Sequence, residues 1–173
     1  MPNDEERDRV LGYLRAQGAK LALPELVGKV RQAMAELGTA LAEIPTGRLH
    51  ERPEPGEWSA DEVMAHVIAS GRYFGAWIEA TVDGGPDVAP PSGSEAEGAP
   101  RRSPQEWMEE LERDREALFA RVLAADPGGR LEVRIPHPWF GALTWRETVL
   151  FLRLHDLDHA GQLRKTAGAL AAC

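Results

Sequence analysis

TWRETVLFLRLHDLDHAGQLRKTAG, residues 144–168, begins as a helix and holds two histidines four positions apart. Thr144 is followed three residues later by Glu147, the reciprocal cap that satisfies two orphan backbone N–H groups at a helix start. His155 and His159 fall on one face, one turn apart, with Thr148, Leu152, Leu163 and Thr166. Working back along the chain, the same cap occurs at Ser59 with Glu62 and at Ser103 with Glu106, where Pro104 occupies the first helical position. Each cap precedes an apolar pattern of helical period, which predicts helices over about 59–81, 103–125 and 144–168. Leu26, Val30, Met34, Leu37 and Leu41 predict another over about 22–43. Val10, Leu11 and Leu14 can dock a shorter helix near 4–16.

The connections constrain how these helices are arranged. Residues 82–102, VDGGPDVAPPSGSEAEGAPRR, read as a loop. A helix of about 22 residues is roughly 33 Å long, and a linker of about 20 residues can run back along it. The helices flanking the linker need not form an antiparallel hairpin, and a long crossover fits. LEVRI, 131–135, alternates apolar and charged residues and can make a short strand or extended arm. The expected fold is all-α: a four-helix bundle with a long crossover and a short N-terminal helix, in one domain spanning 1–173.

The 173 residues suffice for one full core. A net charge of -8 opposes a nucleic-acid or anionic-membrane partner through its long-range field. The start MPNDEERDRV lacks a basic segment followed by an apolar run, and no stretch is apolar enough to span a membrane. The single cysteine, Cys173, excludes an internal disulfide framework. These features set a cytoplasmic location as the expectation.

The third histidine of interest is His66, beside the inward stripe Val63, Val67, Ser70, Phe74 and Trp77. Two imidazoles at i, i+4 and a third from a facing helix can reach one ion at about 2.0–2.1 Å, leaving positions open for water or substrate. Spacing by itself stops at a possible metal site, because such pairs also arise by chance and a lone core histidine is usually just hydrogen-bonded. His50 reads as solvated. His137, between Pro136 and Pro138, reads as a loop-surface residue more than a pocket residue. Asp156 and Asp158 point away from the histidine face, towards solvent or arginines. Trp58, Trp77 and Trp145 read as core, and Glu62 as a cap. No serine or cysteine triad and no phosphate-binding glycine loop can be found.

EWSADEVMAHV (57–67) and HPWFGALTWRETVLFLRLHDLDHAGQL (137–163) resemble the DinB-like metal-binding four-helix bundles. The likeness is most specific in the Trp-Ser before His66, the Phe-Gly-x-Leu-Thr turn, and the HxxxHxxQ run ending at Gln162. That superfamily includes bacillithiol S-transferases, mycothiol-dependent isomerases and proteins labelled metal-dependent hydrolases. The resemblance implies an up-down-down-up bundle with His66, His155 and His159 as ligands to a divalent transition ion, zinc or nickel. It makes Gln162 a residue of the pocket or of the ligands' surroundings. It implies thiol transfer from a low-molecular-weight thiol to a small-molecule electrophile, with metal-dependent hydrolysis or a non-catalytic ligand-sensing module as alternatives. Since the ligands must be neutral and free imidazole titrates near 6.5, metal affinity is expected to fall below about pH 6.

The last helix has a second apolar stripe, Leu150, Leu154, Leu157 and Gly161. Either the N-terminal helix, the 126–143 segment or a second copy must cover it. With dimers common in the resembled family, a homodimer through this helix is the expectation.

Overall fold

Each of the three reciprocal caps starts a helix. The computed structural model describes residues 4–84 and 98–172. Its helices are α1 (Asp4–Lys20), α2 (Leu23–Ala42), α3 (Ala60–Val82), α4 (Pro104–Ala124) and α5 (Trp145–Ala171). Two short strands, β1 (Ile135–His137) and β2 (Gly141–Leu143), form an antiparallel hairpin before α5. Ser59, Ser103 and Thr144 accept from the backbone N–H three residues on, and Glu62, Glu106 and Glu147 reach back to the cap N–H. Residues 85–97 of the predicted 82–102 loop, and Cys173, lie outside the described residues.

Contacts at the helix ends give the directions. Arg146, at the start of α5, donates from Nε to Gly18 O (2.7 Å) and from Nη2 to Leu21 O, beside the start of α2. At the other end Arg48 Nη1, just past α2, donates to Leu170 O at 2.5 Å. The helices α2 and α5 are therefore parallel neighbours. So are α3 and α4: Trp107 Nε1 donates to Asp61 Oδ1 at 2.7 Å near their starts, and Arg121 pairs with Asp83 near their ends. Between the pairs the order reverses. Phe74 meets Phe151 while His66 meets His159, and Arg31 of α2 bonds Glu116 of α4 while Gly38 packs on Met108. The bundle is up-down-down-up, with α2/α3 and α4/α5 on its diagonals.

The predicted stripe of α2 is wholly inside: Leu26, Val30, Met34, Leu37 and Leu41 are all buried. Each such side chain contributes roughly 1.5–3 kcal/mol through removal from water. One core cluster runs through all five helices and the hairpin.

Three expectations change. The N-terminal helix continues to Lys20, a turn beyond the predicted 16. Its end is fixed by a contact distant in sequence, since Arg146 satisfies carbonyls that a helix C-terminus leaves orphaned. The extended segment is not 131–135 but a hairpin over 135–143, turned over 138–140, with Gly141 at φ +76° where β2 begins. This adds two strands to an otherwise helical fold. The second stripe of α5 is covered within the chain over its first half. Leu150 is fully buried, Leu154 packs on the core, and α1 lies alongside, with Arg153 Nη1 donating to Tyr13 Oη at 3.1 Å. Leu157 and Gly161 stay partly exposed, so α1 covers the first half of the stripe and its second half remains at the surface.

Arg146 also donates to Pro127 O at 2.9 Å, so one buried guanidinium holds three carbonyls from two distant segments. Arg146→Met is expected to lower unfolding free energy by about 2–4 kcal/mol, because charge-assisted bonds are lost and buried acceptors left unpaired. Urea unfolding checks this, and a loss under about 0.5 kcal/mol would contradict it.

Candidate metal centre

α3 and α5 run antiparallel, so the second turn of α3 faces the middle of α5. His66 projects from the first, and His155 and His159 from the second. Their Nε2 atoms converge: His155 Nε2 is 3.2 Å from that of His66 and 3.2 Å from that of His159. Nitrogen ligands of the three lie within 4.8 Å of one another. Nitrogens held tetrahedrally at 2.0–2.1 Å from one ion stand about 3.3 Å apart. The donor set suits a divalent transition ion, and the two spacings at His155 match that value.

The surroundings prepare these nitrogens for a cation. Gln162 Oε1 accepts from His159 Nδ1 at 2.8 Å, which leaves the Nε2 lone pair facing inward. Gln162, marked by the HxxxHxxQ pattern, thus supports a histidine directly. Burial pushes His66 down to about 4, with the nearby His159 charge adding to it. His155 is pushed well below its ordinary value by burial, then by the His159 and His66 charges. Burial lowers His159 too, and its bond to Gln162 opposes the shift. Near neutral pH all three are uncharged, so each can turn an Nε2 lone pair towards one point. His155 Nδ1 is buried with no hydrogen-bond partner among the described residues.

Around the histidines sit groups that the sequence reading placed elsewhere or missed. Ser70 Oγ is 3.4 Å from His66 Nε2, and the Trp58 ring is 5.0 Å from that of His66. Trp58 therefore borders the site, whereas Trp145 is core, its Nε1 donating to Gly129 O at 2.9 Å. Trp77 is half-buried in α3. His137 corrects the reading of its segment: only 6% exposed, it stacks on Phe74 at 5.3 Å and meets Phe151 at 4.3 Å. The Phe151 ring continues to His155 at 5.6 Å. The hairpin carries His137 inward, and its Nδ1 accepts the Trp139 and Phe140 N–H groups at 3.2 Å. Its proton therefore resides on Nε2, and burial pushes its pKa down to about 4. Pro136 and Pro138 gave the appearance of a surface loop, and only the helices beneath reveal the aromatic nest.

Asp156 is fully buried and meets an arginine, one of its two expected surroundings: it pairs with Arg115 of α4. Burial pushes its carboxyl up to about 6, with Arg115 limiting the rise. Arg115 had a sequence signal: it interrupts the stripe Trp107, Leu111, Leu118, Val122 at a core-facing position. Asp158 and His50 are exposed, as expected. The contacts of Glu62 are its own cap and Arg52.

Comparison with known proteins follows the same lines. The model of the DinB superfamily matches residues 29–163, well over half of the chain. TT2238, described as a four-helix bundle protein, is similar with TM-score 0.62 at 19% identity, over 83% of this chain and 99% of that one. YfiT from Bacillus subtilis, described as a probable metal-dependent hydrolase with an unusual four-helix bundle topology, is similar with TM-score 0.63 at 13% identity, over 97% of this chain and 91% of that one. At these identities the likeness to solved structures shows the fold alone. Comparison with curated protein sequences gives no match.

Proposed function

The chain belongs to the DinB superfamily, and from that membership we propose a metal-dependent enzyme that joins a low-molecular-weight thiol to a small electrophile. The observation that carries the reading is the convergence of the three Nε2 atoms, with that of His155 3.2 Å from those of His66 and His159. A zinc or nickel ion held there would act as a Lewis acid, lowering the pKa of a thiol or water taken up at an open position.

The chain's own residues supply the remainder. Gln162 keeps His159 in the ligating tautomer. Ser70 places a hydroxyl beside the nitrogens, able to donate to an anionic sulfur or oxygen. Phe74, Phe151 and His137 form an apolar wall next to His155, which excludes water and suits an apolar electrophile. In the reaction the thiolate sulfur bonds to the electrophilic carbon, and the leaving group departs with its electron pair.

A second reading, hydrolysis, is favoured by the description of YfiT as a probable metal-dependent hydrolase. The test loads the protein with zinc or nickel and supplies a chloronitroarene with cysteine, glutathione, bacillithiol or mycothiol in turn. Thiol-dependent chloride release that is lost in His159→Ala is expected. Ester cleavage without any thiol would replace the proposal with hydrolysis. Metal uptake with neither activity would replace it with a non-catalytic metal-binding module.

A further inference from the structure

We propose that Arg115 and Asp156 form a buried brace that fixes the rotation of α5 and so places His155 and His159, making Arg115 a positioning residue of the metal site. This rests on the metal-binding reading above.

Arg115 Nη2 donates to Asp156 Oδ1 at 3.0 Å, and the two side chains are 2% and 0% exposed. The pair joins α4 to α5, helices on a diagonal of the bundle. To make that link the guanidinium crosses the centre past Gly71 of α3. A Cβ at Gly71 would stand 3.0–3.2 Å from Nη1, Cζ and Nη2. Gly71 adjoins Ser70, whose hydroxyl lies beside His66. Asp156 sits between the two ligands of α5 and follows His155 directly. The brace therefore passes through all three helices at the level of the three histidines.

Stability alone is a poor account of the pair. Arg115 Nε and Nη1 and Asp156 Oδ2 are buried without hydrogen-bond partners among the described residues. A buried pair left partly unsatisfied is commonly no more stabilising than apolar residues of similar volume. Its geometric value is larger. A ligating histidine nitrogen lies about 7 Å from its helix axis, so a rotation of about 5° moves it about 0.6 Å. Metal–ligand distances tolerate only about ±0.2 Å. An anchor one residue from His155, on a different face of α5, resists that rotation, whereas apolar contacts allow sliding.

The test compares zinc and nickel affinity, by competition with a chromophoric chelator, in the full-length protein and in Arg115→Met/Asp156→Leu. The metal-free thermal midpoint and the pH profile of affinity are measured alongside. The double variant is expected to keep its midpoint within about 3 °C while its affinity falls about 10–100-fold at every pH. Unchanged affinity overturns the brace. Should the double variant fail to fold, Arg115→Lys carries the test, since it keeps the charge and loses the guanidinium's reach. At least fivefold weaker binding is then expected, and unchanged binding overturns the proposal. His159→Ala separates the two readings. If it binds like the unsubstituted chain, or if that chain takes up neither ion, the metal site itself fails. If only the brace variants are unaffected, the brace alone fails.

Discussion

His155→Leu is expected to abolish stoichiometric uptake of zinc or nickel while raising the thermal midpoint of the metal-free protein. His155 is the central ligand: its Nε2 lies 3.2 Å from each of the other two. Without it His66 and His159 remain as two nitrogens on different helices, and the dissociation constant should rise on the order of 10³-fold or more, beyond the loss typical of supporting residues. The same residue is a liability when no ion is bound. Its Nδ1 is buried without a partner among the described residues. An unsatisfied buried polar atom costs about 1–3 kcal/mol, and leucine has a similar volume with no polar atom. The metal-free midpoint should therefore rise by roughly 2–8 °C for a chain of this size. Equilibrium dialysis with metal analysis, and calorimetry, read the two effects. One tightly held ion per chain in the variant would remove His155 from the ligand set. A lower midpoint would mean that the imidazole is needed for packing.

What the sequence reveals here is local, and what it conceals is contact across the bundle. Ser59, Ser103 and Thr144 each sit three residues before a glutamate, so the helix starts could be read directly. The i, i+4 spacing placed His155 and His159 on one face, and the likeness around Glu57–Val67 added His66. The direction of the helices was only permitted by the long connection, and it becomes definite through pairs such as Arg146 with Gly18. His137 looked like part of an exposed turn because its prolines exclude helix and central strand. Its burial depends on Phe74 and Phe151, 63 residues before it and 14 after it in the chain. Arg115 stood in an apolar stripe, but naming Asp156 as its partner requires knowing that α4 and α5 are diagonal. The end of α1 is likewise set by a side chain more than a hundred residues away.

The metal-free protein is expected to lose much of its stability between about pH 6.5 and pH 4, and bound metal to delay that loss. Four histidines are shifted downward in the folded state. His66 and His137 go to about 4, chiefly through burial, and His155 and His159 are lowered as well. In the unfolded chain they titrate near 6.5. Above that value neither state binds these protons, and the folded state has its full stability. As pH falls from 6.5 towards 4 the unfolded chain takes up protons that the folded chain refuses, so stability falls with pH. Asp156 acts in the opposite sense, since its carboxyl is raised to about 6 and folding takes up a proton there before the unfolded chain does. One group offsets part of the effect of four. His66 is partly exposed, so its share is reduced by solvent. A net loss on the order of a few kcal/mol remains, against a total stability of about 5–15 kcal/mol. For metal affinity, the shift moves proton competition below the pH 6 expected from free imidazole, so binding should hold through pH 6 and weaken towards pH 5 to 4. Thermal midpoints at pH 7.5 and pH 5, with and without zinc, read this out, with a fall of roughly 8 °C or more expected for the metal-free chain. His155→Leu should flatten the profile by removing one of the four groups. A midpoint constant from pH 7.5 to 4.5 would show that these imidazoles are free to protonate in the folded protein, and that the site is more open than its geometry indicates.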